Sequence, residues 1–256
     1  MSTMTLPHSI ERALNISAPP ATVFRFFTDP ERWAKWWGAG STITPKAGGD
    51  VYIKHPGGIE SSGKVVEIEP PKRLVFTYGF NSGDPIPAGG SRVTITLSAT
   101  PRGTRLVLKH DLADDKMLDA HMQGWRFQLS LFANVVADEV NANVGRYADL
   151  WFNAWADPSP VARQLILKEI AEPEVRMQDR FSCLDGVEDV LAHIAASQRF
   201  MPGMTMKRVG EPRHCQGMAL IDWTMTGLDG AERGKGTNAF VFGPTGKIEW
   251  VTGFWG

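Results

Sequence analysis

Residues 63–78 read as two strands joined by a proline pair, and that reading limits what the rest of the chain can be. Val66 and Ile68 alternate with charged residues, and Leu74, Phe76 and Tyr78 alternate with Val75 and Thr77. A period of two sends successive side chains to opposite faces, as in a half-buried strand. Pro70-Pro71 cannot donate to a ladder, so it marks the connection between the two strands. A sheet that is apolar on one face needs a layer to cover it. Further strands are expected around Leu14 and Ile16, at 51–55, at 92–98 with Val93, Ile95 and Leu97 on one face, and at 104–110. The covering layer is legible as well. Within 114–140, Leu118, Met122, Trp125, Leu129, Phe132, Val136 and Val140 recur at steps of four and three, which is a one-sided stripe on a long helix. Val23, Phe24 and Phe27 have helical spacing, and Asp29-Pro30 has the form of an N-cap followed by proline at the first helical position.

The second half changes order. Val144, Tyr147, Ala148, Trp151 and Trp155 form a helical stripe that stops at Asp157-Pro158, and a second helix runs through Leu165 and Ile170. A strand at 175–181 and a helix from Gly186 through Val190, Leu191 and Ile194 come next. Four strands, roughly 204–213, 216–226, 235–242 and 247–255, end the sequence, with turn signals at Asp229-Gly230 and Pro244-Thr245-Gly246. Helices followed by a meander of strands predict a second α+β domain. The junction is expected at 141–145, giving domains at 8–141 and 145–256.

Charge and cysteine content exclude several classes. Across 256 residues, 27 basic and 28 acidic side chains nearly cancel. Neither half has the basic excess of a nucleic-acid binder or a polybasic run for anionic lipid. No apolar run approaches the ~20 residues of a membrane-spanning helix, and the first ten residues lack the pattern of a secretory leader. A cytoplasmic protein with no membrane partner is the expectation. Cys183 and Cys215 have no zinc-like spacing and imply no disulfide framework. No phosphate loop, dinucleotide fingerprint, nucleophile elbow or HExxH motif occurs, so no cofactor is expected. His110, Asp111, Asp114, Asp115 and His121 are near in sequence, but Asp114-Asp115 suits a helix start, where acidic groups complement the dipole. No metal site is expected.

Several ordered blocks in the first half resemble the Hsp90 ATPase-activator-homologue family of the START-like, helix-grip superfamily. They are Ala18-Pro19-Pro20-Ala21-Thr22-Val23-Phe24, Thr28-Asp29-Pro30-Glu31-Arg32-Trp33 with Trp36-Trp37, Gly48-Gly49, the 63–77 segment, Thr104-Arg105-Leu106 with His110, and Gly124-Trp125 with Leu129. The resemblance implies an antiparallel sheet around a long C-terminal helix, an elongated apolar cavity between them, and an Hsp90 interaction as one partner reading. No segment resembles the additional N-terminal domain of the eukaryotic activators. The second half resembles SnoaL-like members of the NTF2-like superfamily through Trp155-Ala156-Asp157-Pro158, Val175–Asp179, Gly186, His193-Ile194, Phe200-Met201-Pro202-Gly203, Gly234, Phe242, Gly246-Lys247-Ile248 and Val251-Thr252-Gly253-Phe254. That resemblance implies an α+β cone, cofactor-free isomerase, cyclase or dehydratase chemistry, and pairing of two copies through a sheet face.

The residues themselves nominate two sites. Val175, Met177, Asp179 and Phe181 share one strand parity, so Asp179 is expected to point into an apolar interior, where desolvation raises a carboxyl pKa and suits it to act as a base. By the same parity Asn238 faces inward with Phe240 and Phe242 and can donate a hydrogen bond to an oxyanion. The resemblance places Asp179 at the proton-abstracting position, Asn238 at the position of an oxyanion-stabilising acid, and Trp151 at that of a helical tyrosine. The bland alternative has Asp179 capping Asp185-Gly186 or pairing with Arg163 or Arg180. The direction of Asp222 stays open between its two faces. His193 and His214 read as surface or capping residues. In the first half, His110 alternates with Leu106 and Leu108, and Tyr78 with Leu74 and Phe76. With Trp37 and Trp125 they are expected to line a small-molecule opening; the alternative is plain core, with His110 bonded to the adjoining loop. The leading expectation is two apolar pockets for small hydrophobic, polyketide-like or aromatic ligands. The alternative is a chaperone-associated interaction protein without catalysis.

Overall fold

In the computed structural model, which describes residues 5–256, Pro70 and Pro71 connect β4 (Glu60–Glu69) to β5 (Arg73–Tyr78), and the two strands pair antiparallel. Met1–Met4, the start of the stretch without a leader pattern, lie outside the described residues. The register shifts between Val65 and Glu67. This bulge turns Val66 outward, 48% exposed, while Val65 is 1% exposed. The inward residue is therefore Val65 and not Val66, because one extra residue resets a period of two.

The chain divides into two compact units, Met1–Ala137 and Asp138–Gly256. In the first, β4 and β5 belong to a seven-stranded sheet with β1 (His8–Ile16), β2 (Thr42–Ile43), β3 (Asp50–Lys54), β6 (Ser91–Thr100) and β7 (Gly103–Leu112). Its order is β1-β7-β6-β5-β4-β3-β2, and every neighbouring pair is antiparallel. The expected inward residues Val93, Ile95 and Leu97 are buried.

Three helices belong to this part of the chain: α1 (Pro20–Arg25), α2 (Pro30–Trp37) and α3 (Leu118–Val140). At the start of α2, Asp29 Oδ1 accepts the N–H groups of Glu31 and Arg32 at 2.9 and 3.1 Å, and Pro30 follows at the first helical position. Asp114 caps a short 3-10 turn ahead of α3 by accepting from the Lys116 N–H. The stripe on α3 then meets the short helices. Phe132 stacks on Phe27 with ring centroids 4.7 Å apart and receives Phe26 and Trp36 edge-on. Gln128 Nε2 donates to the Trp36 carbonyl. The division into units falls in the last turn of α3, just ahead of residues 141–145.

The second unit runs α4 (Val144–Ala156), α5 (Pro160–Ile170), β8 (Ala171–Gln178), β9 (Cys183–Asp185), α6 (Val187–Phe200), β10 (Thr205–Cys215), β11 (Met218–Thr226), β12 (Glu232–Phe242) and β13 (Ile248–Trp255). Its sheet order is β10-β11-β12-β13-β8-β9, parallel between β13 and β8 and antiparallel elsewhere. Ile221, Trp223 and Met225 of β11 and Phe240 and Phe242 of β12 face a core shared with Ala148, Trp151, Leu167 and Ile194. Asp222 therefore points outward, where Arg213 and Thr237 donate to it. Both units are α+β, the class expected from the strand and helix patterns. Among the described residues no helix is long and apolar enough to cross a membrane.

Phe132 ties α3 to α1 and α2 with none of its surface exposed. Phe132→Ala is expected to destabilise the first unit by about 3–5 kcal/mol through lost contacts and the cavity left behind. A fall in the denaturant midpoint at unchanged slope is the expected reading.

Candidate functional site

Helices α4 and α6 and the inner face of the second sheet enclose a cavity of about 440 Å³, within the range that holds a drug-sized ligand. Trp151 and Trp155 come from α4, Trp223 and Met225 from β11, and Trp255 from β13; Met177, Met204 and Met206 complete the apolar wall. Methionine is flexible and polarisable, so such a wall adapts to the outline of an aromatic guest. Trp151 is 1% exposed and meets Phe240 edge-on at 6.0 Å.

Two polar side chains converge on this wall. Asn238 pairs across the ladder with Gly253, and the preceding Thr252 pairs with Gln178, which brings Asp179 beside Gly253. A Cβ on Gly253 would stand 3.1 Å from Asp179 Cβ and 3.3 Å from Asn238 Oδ1. The missing side chain is what leaves room for both groups.

Each group is oriented by an indole. Trp223 Nε1 donates to Asn238 Oδ1 at 2.9 Å. An indole N–H can only donate, so the oxygen of the amide is fixed against Trp223 and the NH2 is its remaining polar end. Trp255 Nε1 donates to Asp179 Oδ2 at 3.2 Å.

Asp179 also shapes its own loop. Its Oδ1 accepts the Phe181 N–H at 2.7 Å and the Ser182 hydroxyl at 2.8 Å. Strand β8 has ended at Gln178, so the alternation that carries Val175, Met177 and Asp179 inward stops there, and Phe181 is 68% exposed at the cavity's edge. The cap is on the 181–182 turn, not on Asp185-Gly186. Arg163 is engaged elsewhere, donating to the Asp157 carbonyl and to Gln198.

One lining residue departs from its sequence reading. His193 lines the cavity and packs against Trp155 at 5.7 Å, where a surface or capping role is expected. The usable signal is its i,i+4 spacing from Ser197, which also lines the cavity from α6. His214 is a local cap: its Nε2 accepts the Gly217 N–H and its Nδ1 lies 3.3 Å from Asp138.

In the first unit the structure gathers Trp37, Tyr78, His110 and Trp125 as a chain of rings. Trp37 meets Trp125 at 5.6 Å, Trp125 meets His110 at 5.9 Å, and His110 meets Tyr78 at 5.6 Å. His110 is fully buried and its tautomer is dictated by its neighbours. Ser91 Oγ donates to the Tyr78 carbonyl at 2.8 Å, so at 2.7 Å it accepts from His110 Nε2–H. His110 Nδ1 accepts from Trp125 Nε1 at 3.0 Å. Protonation would set N–H against N–H, and burial, with a smaller contribution from nearby His121, pushes the His110 pKa down to about 3. The partners of His110 are thus Ser91 and Trp125, not the adjoining loop.

Burial also lowers the pKa of His55, whose Nε2 lies 2.9 Å from Ser61 Oγ. Tyr78, whose hydroxyl accepts from Ser61, is raised by burial. Trp37 Nε1 is buried with no hydrogen-bond partner among the described residues. No group of three or more His, Cys, Asp or Glu among the described residues is placed to hold a metal ion, and Cys183 and Cys215 are free and exposed.

Residues 17–137 match the family model described as "Activator of Hsp90 ATPase homolog 1-like protein". The resemblance read in the first half is thereby shown for that segment, which is just under half of the chain. Similar solved structures include a SnoaL-like family member from Agrobacterium tumefaciens, 22% identical, covering 43% of this chain and 95% of its own, with a TM-score of 0.42. The Aha1 dimer from Colwellia psychrerythraea is 20% identical over 48% of this chain and 92% of its own, with a TM-score of 0.41. CalU16 from Micromonospora echinospora is 26% identical over 49% of this chain and 74% of its own, with a TM-score of 0.39. No curated protein matches the chain at a significant level.

The locked neutral state of His110 sets a pH dependence. Its folded pKa, about 3, lies below the ordinary 6.5, so between those values the unfolded chain binds a proton that the folded chain refuses. This contribution is fully present above pH 6.5 and is lost as pH falls toward 3, by up to about 1.4 kcal/mol per pH unit. His110→Gln is expected to flatten the fall in stability of the first unit between pH 7 and pH 5, read by denaturant titration at each pH.

Proposed function

We propose that the second unit binds a flat, apolar carbonyl compound and moves a proton on it. Asp179 is the acceptor and the Asn238 NH2 is the donor to the carbonyl oxygen. The observation that carries this reading is the convergence of the two groups over Gly253, on the wall of a cavity otherwise built from tryptophan and methionine. A carbon acid loses its proton more readily when the adjoining oxygen is held by a fixed donor, because charge develops on that oxygen as the proton leaves. Asp179 Oδ2 accepts the Trp255 N–H, and a carboxylate oxygen has a second lone pair to offer. Trp151 lines the cavity from α4, packed edge-on against Phe240. Isomerase, cyclase and dehydratase steps share this opening move and need no cofactor.

The first unit has narrower support for a ligand of its own. Trp37 Nε1 is an unspent donor within the ring cluster of Trp125, His55 and Tyr78, where an acceptor on an apolar guest would meet it. A second reading rests on the family match at 17–137: this unit docks on Hsp90 and has no catalytic role. Stimulation of purified Hsp90 ATPase by the chain would support it, and no stimulation with no complex under cross-linking would end it. Copies are further proposed to pair through the outer sheet face of the second unit, where Met218, Leu220 and Phe254 are exposed; light scattering gives the mass.

Asp179→Asn is expected to abolish turnover of an aryl ketone library while the fold remains. The amide keeps an acceptor for the 181–182 turn but sets NH2 against Trp255 Nε1, a cost of about 1–3 kcal/mol. Undiminished turnover would remove Asp179 from the chemistry. Gly253→Ala inserts a methyl group between Asp179 and Asn238 and is expected to weaken aryl ketone binding several-fold, read by tryptophan fluorescence, with the circular dichroism spectrum unchanged.

A further inference from the structure

The cavity of the second unit has a cation at one end that the reading above does not use. Arg233 lines it, although strand parity sends Arg233 to the outer face with Lys235 and Thr237. The reason is a bulge. Met225 pairs with Gly234 and Thr226 with Glu232, which leaves Arg233 as the extra residue in β12. A bulged residue is unpaired in the ladder and its side chain is re-aimed.

The positions that follow keep the floor open. A Cβ on Gly234 would meet Trp255 and Met225 at 3.2 and 3.3 Å, and one on Gly236 would come within 2.7 Å of Trp223. The two indoles that orient Asp179 and Asn238 meet edge-on, with centroids 5.0 Å apart, and pack against β12 at Gly234 and Gly236, between the polar pair and Arg233. At ~3.3 Å per residue, about 16 Å of strand separates Arg233 from Asn238.

The guanidinium is available. Its partner is Asp229, whose Oδ2 lies 2.6 Å from Arg233 Nη2, and the side chains are 48% and 58% exposed. A pair this open to water is weakly held and can be exchanged for another carboxylate. Asp229 keeps its bond to the Ala231 N–H through Oδ1 and so stays in place when Arg233 turns away. The carboxylate at the other end, Asp179, repels an anion placed beside it. Charge thus favours one orientation of an acidic guest, with its anionic end at Arg233 and its uncharged end at Asn238.

We infer that the ligand of this site is an amphipathic organic acid: a flat apolar body with a carbonyl group at the Asn238 end and a carboxylate at the far end that Arg233 recognises. The inference rests on the second-unit cavity being a ligand site. It adds the charge and length of the guest, and it assigns Arg233 to specificity and not to the reacting atoms.

The test compares 6-acetyl-2-naphthoate, which carries its carbonyl and carboxylate at opposite ends of a flat ring system, with its methyl ester on the full chain, with affinity read by tryptophan fluorescence. The acid should bind roughly tenfold tighter than the ester. That preference should vanish in Arg233→Gln, an exposed position where folding is retained, and grow in Asp229→Asn, which frees the guanidinium. Equal affinities in the parent chain, or a preference that survives Arg233→Gln, would overturn the inference and leave the cavity reading intact. Binding of neither compound would remove the cavity reading, and the inference with it.

Discussion

A polar group that is buried must find a partner among the side chains around it, since no water is there to supply one. In this protein that partner is repeatedly an indole N–H. Trp125 donates to the buried His110 in the first unit, and Trp223 and Trp255 donate to the buried Asn238 and the half-buried Asp179 in the second. Tryptophan fills the interior with apolar surface and carries a single fixed donor. Its donor therefore decides which end of each neighbour is spent and which is left over. His110 is left neutral with both nitrogens used. Asn238 is left with its NH2, and Asp179 keeps spare capacity on Oδ2. The same chemistry thus closes one polar cluster and leaves the other open to a guest.

The second recurring constraint is that a sheet built on a period of two is reset by a single extra residue. In β4 the bulge at Val65/Glu67 exchanges Val66 for Val65 on the inner face. In β12 the bulge at Met225/Thr226 brings Arg233 to the edge of a cavity that parity alone would deny it. Glycine supplies the complementary freedom. At Gly253 the absence of Cβ lets two polar side chains meet, and at Gly236 it lets an indole lie against the backbone. Charge at the mouth thus follows from where the ladder departs from regularity, and polarity in the wall from a glycine within its regular part.

Much of the architecture was legible because it rests on repeats of local origin. The stripe on α3, the Asp29-Pro30 helix start, the inward Val93, Ile95 and Leu97, and the four closing strands all follow from period, capping and turn chemistry. Asp179, Asn238 and Trp151 were legible as lining residues because parity and helical spacing held up to their positions. Phe181 was not, because β8 ends at Gln178 and a turn capped by Asp179 itself carries the next residues outward. His193 was hidden by its half-apolar setting on α6; only the tertiary packing of Trp155 against it shows that this edge of the helix faces a cavity.

What the sequence determined by itself is therefore the class of each half, the order of its elements and the faces most side chains take, since these depend on interactions a few residues apart. What only the tertiary structure decided is which polar atoms are spent and which are free. The tautomer of His110 follows from Ser91 on β6 and Trp125 on α3, and the orientation of the Asn238 amide follows from Trp223 on the neighbouring strand. The approach of Asp179 follows from a glycine on β13. Those partners are far apart in the chain, and no local pattern records them, because hydrogen-bond direction depends on where donors end up and not on which residues precede them.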